Sequence, residues 1–180
     1  LDLGTGVRGL GQAMLERFGP GAPQTYHVFL SHLHWDHIMG LPFFVPAFIP
    51  GNRVVIYGSH HELEFALRRQ QEPPSFPVGF DSIFGAAMEF VHLEPGVARE
   101  VAGVRVTTML QRHGGDSYGY RFESAGRTVV YSTDSEHPLA EAAHTERFVE
   151  FFRDADLVIF NISRTTRPCT SVSRKGLPAY

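Results

Sequence analysis

Three imidazoles and a carboxylate fall within six positions of this chain, at His32, His34, Asp36 and His37. They follow the apolar run Tyr26-His27-Val28-Phe29-Leu30, in the segment Ser31-His32-Leu33-His34-Trp35-Asp36-His37. Side chains two apart on an extended segment point the same way, so His32 and His34 can hold one metal ion together. Asp36 and His37 come as the chain turns, which carries their ligand atoms to a neighbouring position. Imidazole nitrogen with carboxylate oxygen suits Zn2+, and also Mn2+ or Fe2+. Ten histidines in 180 residues would rarely gather with an aspartate at this spacing by chance, so the segment reads as a metal site.

Two more candidates stand far along the chain. His113 follows the strand-like stretch Val104–Leu110, and Asp134 follows the strand-like stretch Thr128–Ser132. Strand ends opening onto loops are where a scaffold presents functional groups. The elements that must position these residues can be read from apolar spacing and turn residues. Leu1–Leu3 reads as a strand end, released by Gly4-Thr5-Gly6 into a helix with Leu10, Met14, Leu15 and Phe18 on one face, stopped by Gly19-Pro20-Gly21. Strands are expected over Val28–Leu30, Arg53–Tyr57, Met88–Leu93, Val104–Leu110, Tyr118–Glu123, Arg127–Ser132 and Leu157–Phe160. A hairpin at Ser124-Ala125-Gly126 joins two of them. Helices are expected over His61–Gln71 and Thr145–Arg153, with short helix or turns over Ile38–Ile49 and an irregular connection at Pro73–Pro77. Strands with helices toward both ends of the chain predict an α/β fold, two sheets between helical layers.

Composition narrows the function class. Apolar residues make up 43% and charged residues 19%, as in ordinary globular domains. No stretch approaches the roughly 18 apolar residues of a membrane span, so no membrane partner is expected. No export leader is visible, and the one cysteine, Cys169, excludes an internal disulfide; a reducing, cytoplasmic location is expected. A formal net charge of −3 leaves no global basic field to draw in long nucleic acid. Both ends read as incomplete. The chain opens on Leu1 inside an apolar run, and residues 161–180 form an atypical tail without Asp or Glu that carries the only lysine, Lys175. That tail reads as disordered, or as a truncated or frame-shifted gene end, beside a domain over 1–160.

Taken in order, Asp2 before Gly-Thr-Gly, His32-x-His34-x-Asp36-His37, the lone His113, and Asp134 after an apolar strand resemble the metallo-β-lactamase-fold hydrolases. Ser31 to Pro42 and Tyr118-Gly119-Tyr120-Arg121 look like the ribonuclease Z and phosphodiesterase-like branch. The resemblance implies a four-layer αββα sandwich. It implies that His32, His34 and His113 hold one metal, that Asp36 and His37 hold a second, and that Asp134 bridges the pair. Asp2 would support the site from behind the ligands, as carboxylate partners of metal-bound imidazoles do. Asp36 would also take a proton, as the catalytic residue. The implied activity is hydrolysis of a nucleotide or RNA phosphodiester by a dinuclear zinc-type centre, which lowers the pKa of a shared water and braces both oxygens of the displacement. The partner is then a small-molecule or nucleotide phosphodiester. Rival readings are a hydrolase of another ester or lactone, and a non-catalytic metal-binding module. The last arises because the family brings a final histidine to the second metal from beyond the strand matching Leu157–Phe160, whereas no histidine follows His144.

Other residues are expected to be ordinary. His60 and His61 read as solvent-exposed at a helix start, His92 as packed or at the surface, and His137 as a loop histidine. Phe43, Phe44 and Phe48 read as core under the site, with a substrate wall as the alternative. Arg112 and Arg121 are candidates to meet a phosphate. Gly4-Thr5-Gly6 is an incomplete phosphate-loop pattern.

Overall fold

Val54-Val55-Ile56-Tyr57 is an unbroken apolar run, and such a run forms a strand covered on both faces. In the computed structural model, which describes residues 1–19, 21–136, 142–162 and 169–174 (residue 162 and the last segment through the backbone alone), it is the central strand of a parallel sheet. The chain forms two compact units, Leu1–His92 and Leu93–Tyr180. The first contains, in order, α1 (Val7–Phe18), β1 (Thr25–Phe29), α2 (Trp35–Ile38), two 3-10 turns (Leu41–Phe43 and Val45–Phe48), β2 (Arg53–Gly58), α3 (Leu63–Arg69), α4 (Phe80–Ile83) and β3 (Ala87–His92). Its sheet has the order β1-β2-β3, all parallel. Phe29 stands opposite Tyr57 and Gly58 opposite His92, so the three strands end nearly level. Carboxyl ends of parallel strands form the edge where open α/β sheets place ligands. Here that edge leads into Ser31–His37.

The core of this unit brings Leu3, Val28, Leu30, Ile38, Ile56 and Leu67 together, each almost fully buried. Two glycines let the N-terminal segment lie against α2. A Cβ on Gly4 would come 2.7 Å from the Asp36 carbonyl oxygen, and one on Gly40 would overlap the carbonyl oxygens of Gly4 and Leu3. The amide of Leu3 donates to the His37 carbonyl at 2.7 Å, and that of Gly40 to the Leu3 carbonyl at 2.6 Å. The Gly-Thr-Gly pattern therefore serves close backbone approach at its first glycine.

The second unit contains β4 (Arg99–Val101), β5 (Val104–Gln111), β6 (Ser117–Ser124), β7 (Arg127–Ser135), α5 (Ala142–Phe152), β8 (Leu157–Ile162) and β9 (Cys169–Arg174). They form one sheet in the order β4-β5-β6-β7-β8-β9, antiparallel except for β7–β8, whose parallel pairing is bridged by α5. Two tight hairpins are turned by Ala-Gly pairs with positive φ at both residues: Ala102 (50°) with Gly103 (79°), and Ala125 (48°) with Gly126 (72°). That is the twist two-residue hairpins require. The ladder between β7 and β8 shifts register between Ser132 and Ser135, around the left-handed Asp134 (φ 50°).

Several local expectations are corrected. Leu1–Leu3 is not a strand; isolated bonds, such as the Asp2 amide to the Phe29 carbonyl at 2.9 Å, tie it to β1. In α1, Leu10 and Phe18 are exposed and Met14 and Leu15 half-buried, while the buried positions are Val7 and Gly11, one turn apart. Gly11 is chosen by proximity, since a Cβ there would lie 3.0 Å from the Pro46 ring. The three phenylalanines diverge. Phe44 is buried edge-on against Tyr26 at 5.3 Å, Phe48 packs near Phe84 at 5.5 Å, and Phe43 is exposed. Strand β4, helix α4 and strand β9 have no counterpart in the sequence reading. β9 lies within the stretch read as structureless, pairing Cys169 with Ile162 and Arg174 with Leu157. Its alternating Thr170 and Val172 are β-branched, and β8 presents an open backbone edge for them to pair with. The rest of the tail reading falls on residues 163–168 and 175–180, outside the described residues, as does His137. Among the described residues no helix is long and apolar enough to cross a membrane.

Candidate metal centre

The histidine segment leaves β1 through Leu30, whose amide still donates to the Tyr57 carbonyl at 2.8 Å, so the segment starts from a rigid strand end. His34 is extended (φ −63°, ψ 150°) and caps α2, and the turn of α2 swings Asp36 and His37 round behind it. The result brings three imidazoles together. Ring nitrogens of His32 lie within 4.8 Å of ligand atoms of both His34 and His37. His32 Nε2 and His34 Nδ1 are 3.0 Å apart, and the rings of His32 and His37 have centroids 4.0 Å apart. His32 is buried, His37 half-buried and His34 exposed. The Asp36 carboxylate is 79% exposed, with Oδ2 3.5 Å from His37 Nε2.

Asp2 organises this group from behind. Its Oδ1 accepts from the Ser31 amide at 2.7 Å, and its Oδ2 accepts from the Ser31 hydroxyl at 2.9 Å. The same Oδ2 faces His37 Nδ1 at 2.9 Å. Ser31 Oγ also lies 3.0 Å from His32 Nδ1. A hydroxyl has one proton. If Ser31 gives it to Asp2, it must accept from His32, which puts the ring proton on Nδ1 and the lone pair on Nε2. The same logic puts a proton on His37 Nδ1, against the carboxylate, and directs Nε2 outward. Both tautomers are those a metal needs, and the pattern is the carboxylate–imidazole arrangement that orients such ligands. Ser31 heads the motif, yet its spacing alone does not mark it as a contributor.

The Asp2 acceptor can be tested without metal. Asp2→Ala leaves the fully buried Ser31 amide and hydroxyl without their acceptor. The metal-free variant should unfold about 2–3 kcal/mol more easily in a denaturant titration. A loss under about 0.5 kcal/mol would mean that water replaces the carboxylate at no cost.

In the second unit, His113 follows β5 and Asp134 lies near the end of β7. The two loops meet at the same end of the sheet: the Glu136 amide donates to the Arg112 carbonyl at 2.8 Å. A buried polar brace holds Asp134 in place. Gln111 Nε2 donates to Ser132 Oγ at 2.5 Å, and Ser117 Oγ lies 3.2 Å from Gln111 Oε1 and 2.9 Å from the Asp134 carbonyl, sharing its one proton between them. The glycine of Tyr118-Gly119-Tyr120 belongs to this brace, since a Cβ at Gly119 would come 2.5 Å from Gln111 Nε2. Sequence reading found none of these polar partners, because nothing in their local spacing marks them.

The remaining candidates take other places. Arg121 Nη1 donates to the carbonyls of Phe151 (3.0 Å) and Arg153 (2.9 Å) at the end of α5, a use of its charge as a helix C-terminal cap. Arg112 is exposed on the His113 loop. His61 and His92, both exposed, stack with centroids 4.7 Å apart and planes 11° apart. His60 is half-buried.

Two sheets with helices, a histidine-rich segment leaving a parallel strand, and a carboxylate behind it describe the metallo-β-lactamase fold. The chain belongs to the β-lactamase superfamily domain family, whose model matches residues 2–171. It is 35% identical over 103 residues to ribonuclease Z of Oceanobacillus iheyensis, covering 53% of this chain and 31% of the relative. In structure it resembles the metallo-β-lactamase fold protein YhfI of Bacillus subtilis, with TM-score 0.59, 20% identity, and coverage of 88% of this chain and 56% of that one. It also resembles the short form of human tRNase Z, with TM-score 0.55, 18% identity, and coverage of 88% and 64%. At these identities the structural likenesses are of fold. The chain thus spans between about a third and two thirds of the length of these relatives.

Proposed function

We propose that this protein is a metal-dependent hydrolase acting on a phosphodiester of a nucleotide or RNA. The observation that carries the reading is the Asp2–Ser31–His32 and Asp2–His37 network, which presents two imidazole lone pairs at one strand end. That donor set fits a divalent ion, with zinc the best match of imidazole and carboxylate ligands. His32, His34 and His113 would hold one ion, Asp36 and His37 a second, with Asp134 bridging. When bound, such ions supply Lewis acidity and a more acidic water. The chain's own residues supply the rest. Asp2 would keep the imidazoles in their ligand tautomers, Gln111 and Ser117 hold the Asp134 backbone, and the exposed Asp36 carboxylate would receive a proton. The likeness to ribonuclease Z supports a phosphodiester as the scissile group.

The test is a substrate panel on protein purified without chelator, with its metal content measured alongside. Release of a nucleotide from a dinucleotide, or of nitrophenol from bis-nitrophenyl phosphate, lost on chelation and restored by zinc or manganese, is the expected result. Turnover of lactones or carboxylic esters with no phosphodiester activity would overturn it, and so would a folded protein that binds no metal.

A further inference from the structure

We propose that Trp35 is a stacking platform for a nucleobase of the substrate, so that the centre prefers phosphodiesters that carry a base beside the scissile phosphate. This rests on the phosphodiesterase reading above and adds a residue and a chemical selectivity to it. Trp35 is the single tryptophan of the chain and, at 69%, the most exposed large apolar side chain among the described residues. An exposed apolar residue is ordinary in itself. Its position is what matters. It is the first residue of α2, directly between His34, the helix N-cap, and Asp36. Its backbone is fixed: the Met39 amide donates to the Trp35 carbonyl at 2.7 Å, and the His37 amide to the His34 carbonyl at 3.0 Å. The indole makes no ring stack and no hydrogen bond with the described residues. A flat aromatic surface is thus held open to solvent within one residue of two proposed ligands.

Charge supports the same conclusion. With a net charge of −3 the chain has no excess of basic side chains to grip a nucleic-acid backbone. A nucleotide would be held by the ions at its phosphate and by a non-ionic contact elsewhere. Base–aromatic stacking is such a contact. It is worth roughly 1–3 kcal/mol per base, is indifferent to base identity, and is unavailable to a diester lacking a base.

The single tryptophan makes the test direct, because all indole emission comes from this position. The protein is titrated with a dinucleoside monophosphate and with glycerophosphoglycerol, a diester without a base or a cation, both as purified and after chelation. Saturable quenching by the dinucleotide and not by glycerophosphoglycerol is expected. In turnover assays on the metal-loaded protein, Trp35→Ala should raise KM for the dinucleotide by about 5- to 150-fold. Trp35→Phe should restore most of the affinity, which a loss of fold in the alanine variant would not predict. Equal responses to the two diesters, or an unchanged dinucleotide KM in Trp35→Ala, would overturn the proposal and leave the phosphodiesterase reading standing. Quenching by the dinucleotide without turnover of any phosphodiester would support the platform and overturn the reading on which the reaction rests.

Discussion

Replacing His34 by alanine should strip the protein of most of its metal while barely changing the stability of the metal-free chain. His34 is exposed, and its side chain meets His32 edge-on, with Nδ1 3.0 Å from His32 Nε2. Truncating an exposed imidazole with a hydrogen bond of this kind costs about 1 kcal/mol. Losing a ligand is a larger matter. Even residues that only support a ligand change affinity by roughly 10–100-fold, so removal of the ligand itself should exceed about 100-fold. An ion present at about 100 times its Kd stabilises the folded state by roughly 2.7 kcal/mol, and this increment should vanish in the variant. Zinc content by elemental analysis, paired with denaturant titrations with and without the ion, separates the two effects. His92→Ala is the matched control, since His92 stacks on His61 at the end of β3 and should keep the metal of the wild type. Equal metal in the two variants would remove His34 from the ligand set.

The second large effect is expected at Asp36. Its carboxylate is 79% exposed, so Asp36→Asn should fold as the wild type does. The amide keeps the shape and loses both the negative charge and the ability to take a proton. General-base contributions of about 10²–10⁴-fold set the expected scale, and phosphodiester turnover should fall by roughly 10²-fold or more. The loss should appear in kcat more than in KM, because a proton acceptor acts in the transition state. Wild-type kcat in a fully metal-loaded Asp36→Asn protein would assign the residue a role other than proton transfer.

The gathering of three imidazoles is legible in the sequence because His32, His34 and His37 are neighbours along the chain. An extended segment after β1, followed by the one helical turn of α2, is enough to gather His32, His34 and His37. The long apolar strands β2 and β5 to β8 are legible for a similar reason: burial leaves an unbroken or alternating apolar run. What local spacing could not supply is everything decided by contacts between distant residues. Asp2 meets His37 across 35 positions, and Gln111 meets Ser132 across 21. Family resemblance singles out Asp2, whereas its surroundings in the sequence do not. That α1 buries Gly11 is not legible, because Gly11 is selected by the nearby Pro46 ring and has no apolar signal of its own. Phe43 and Phe44 are adjacent and chemically identical, yet one is exposed and the other packs on Tyr26. β9 is a strand through pairing with the edge of β8, in a stretch whose composition alone reads as structureless. Sequence-local ligand geometry comes from backbone periodicity, whereas the hydrogen bonds that set the tautomers of His32 and His37 exist only after the chain has brought Asp2 against Ser31 and α2.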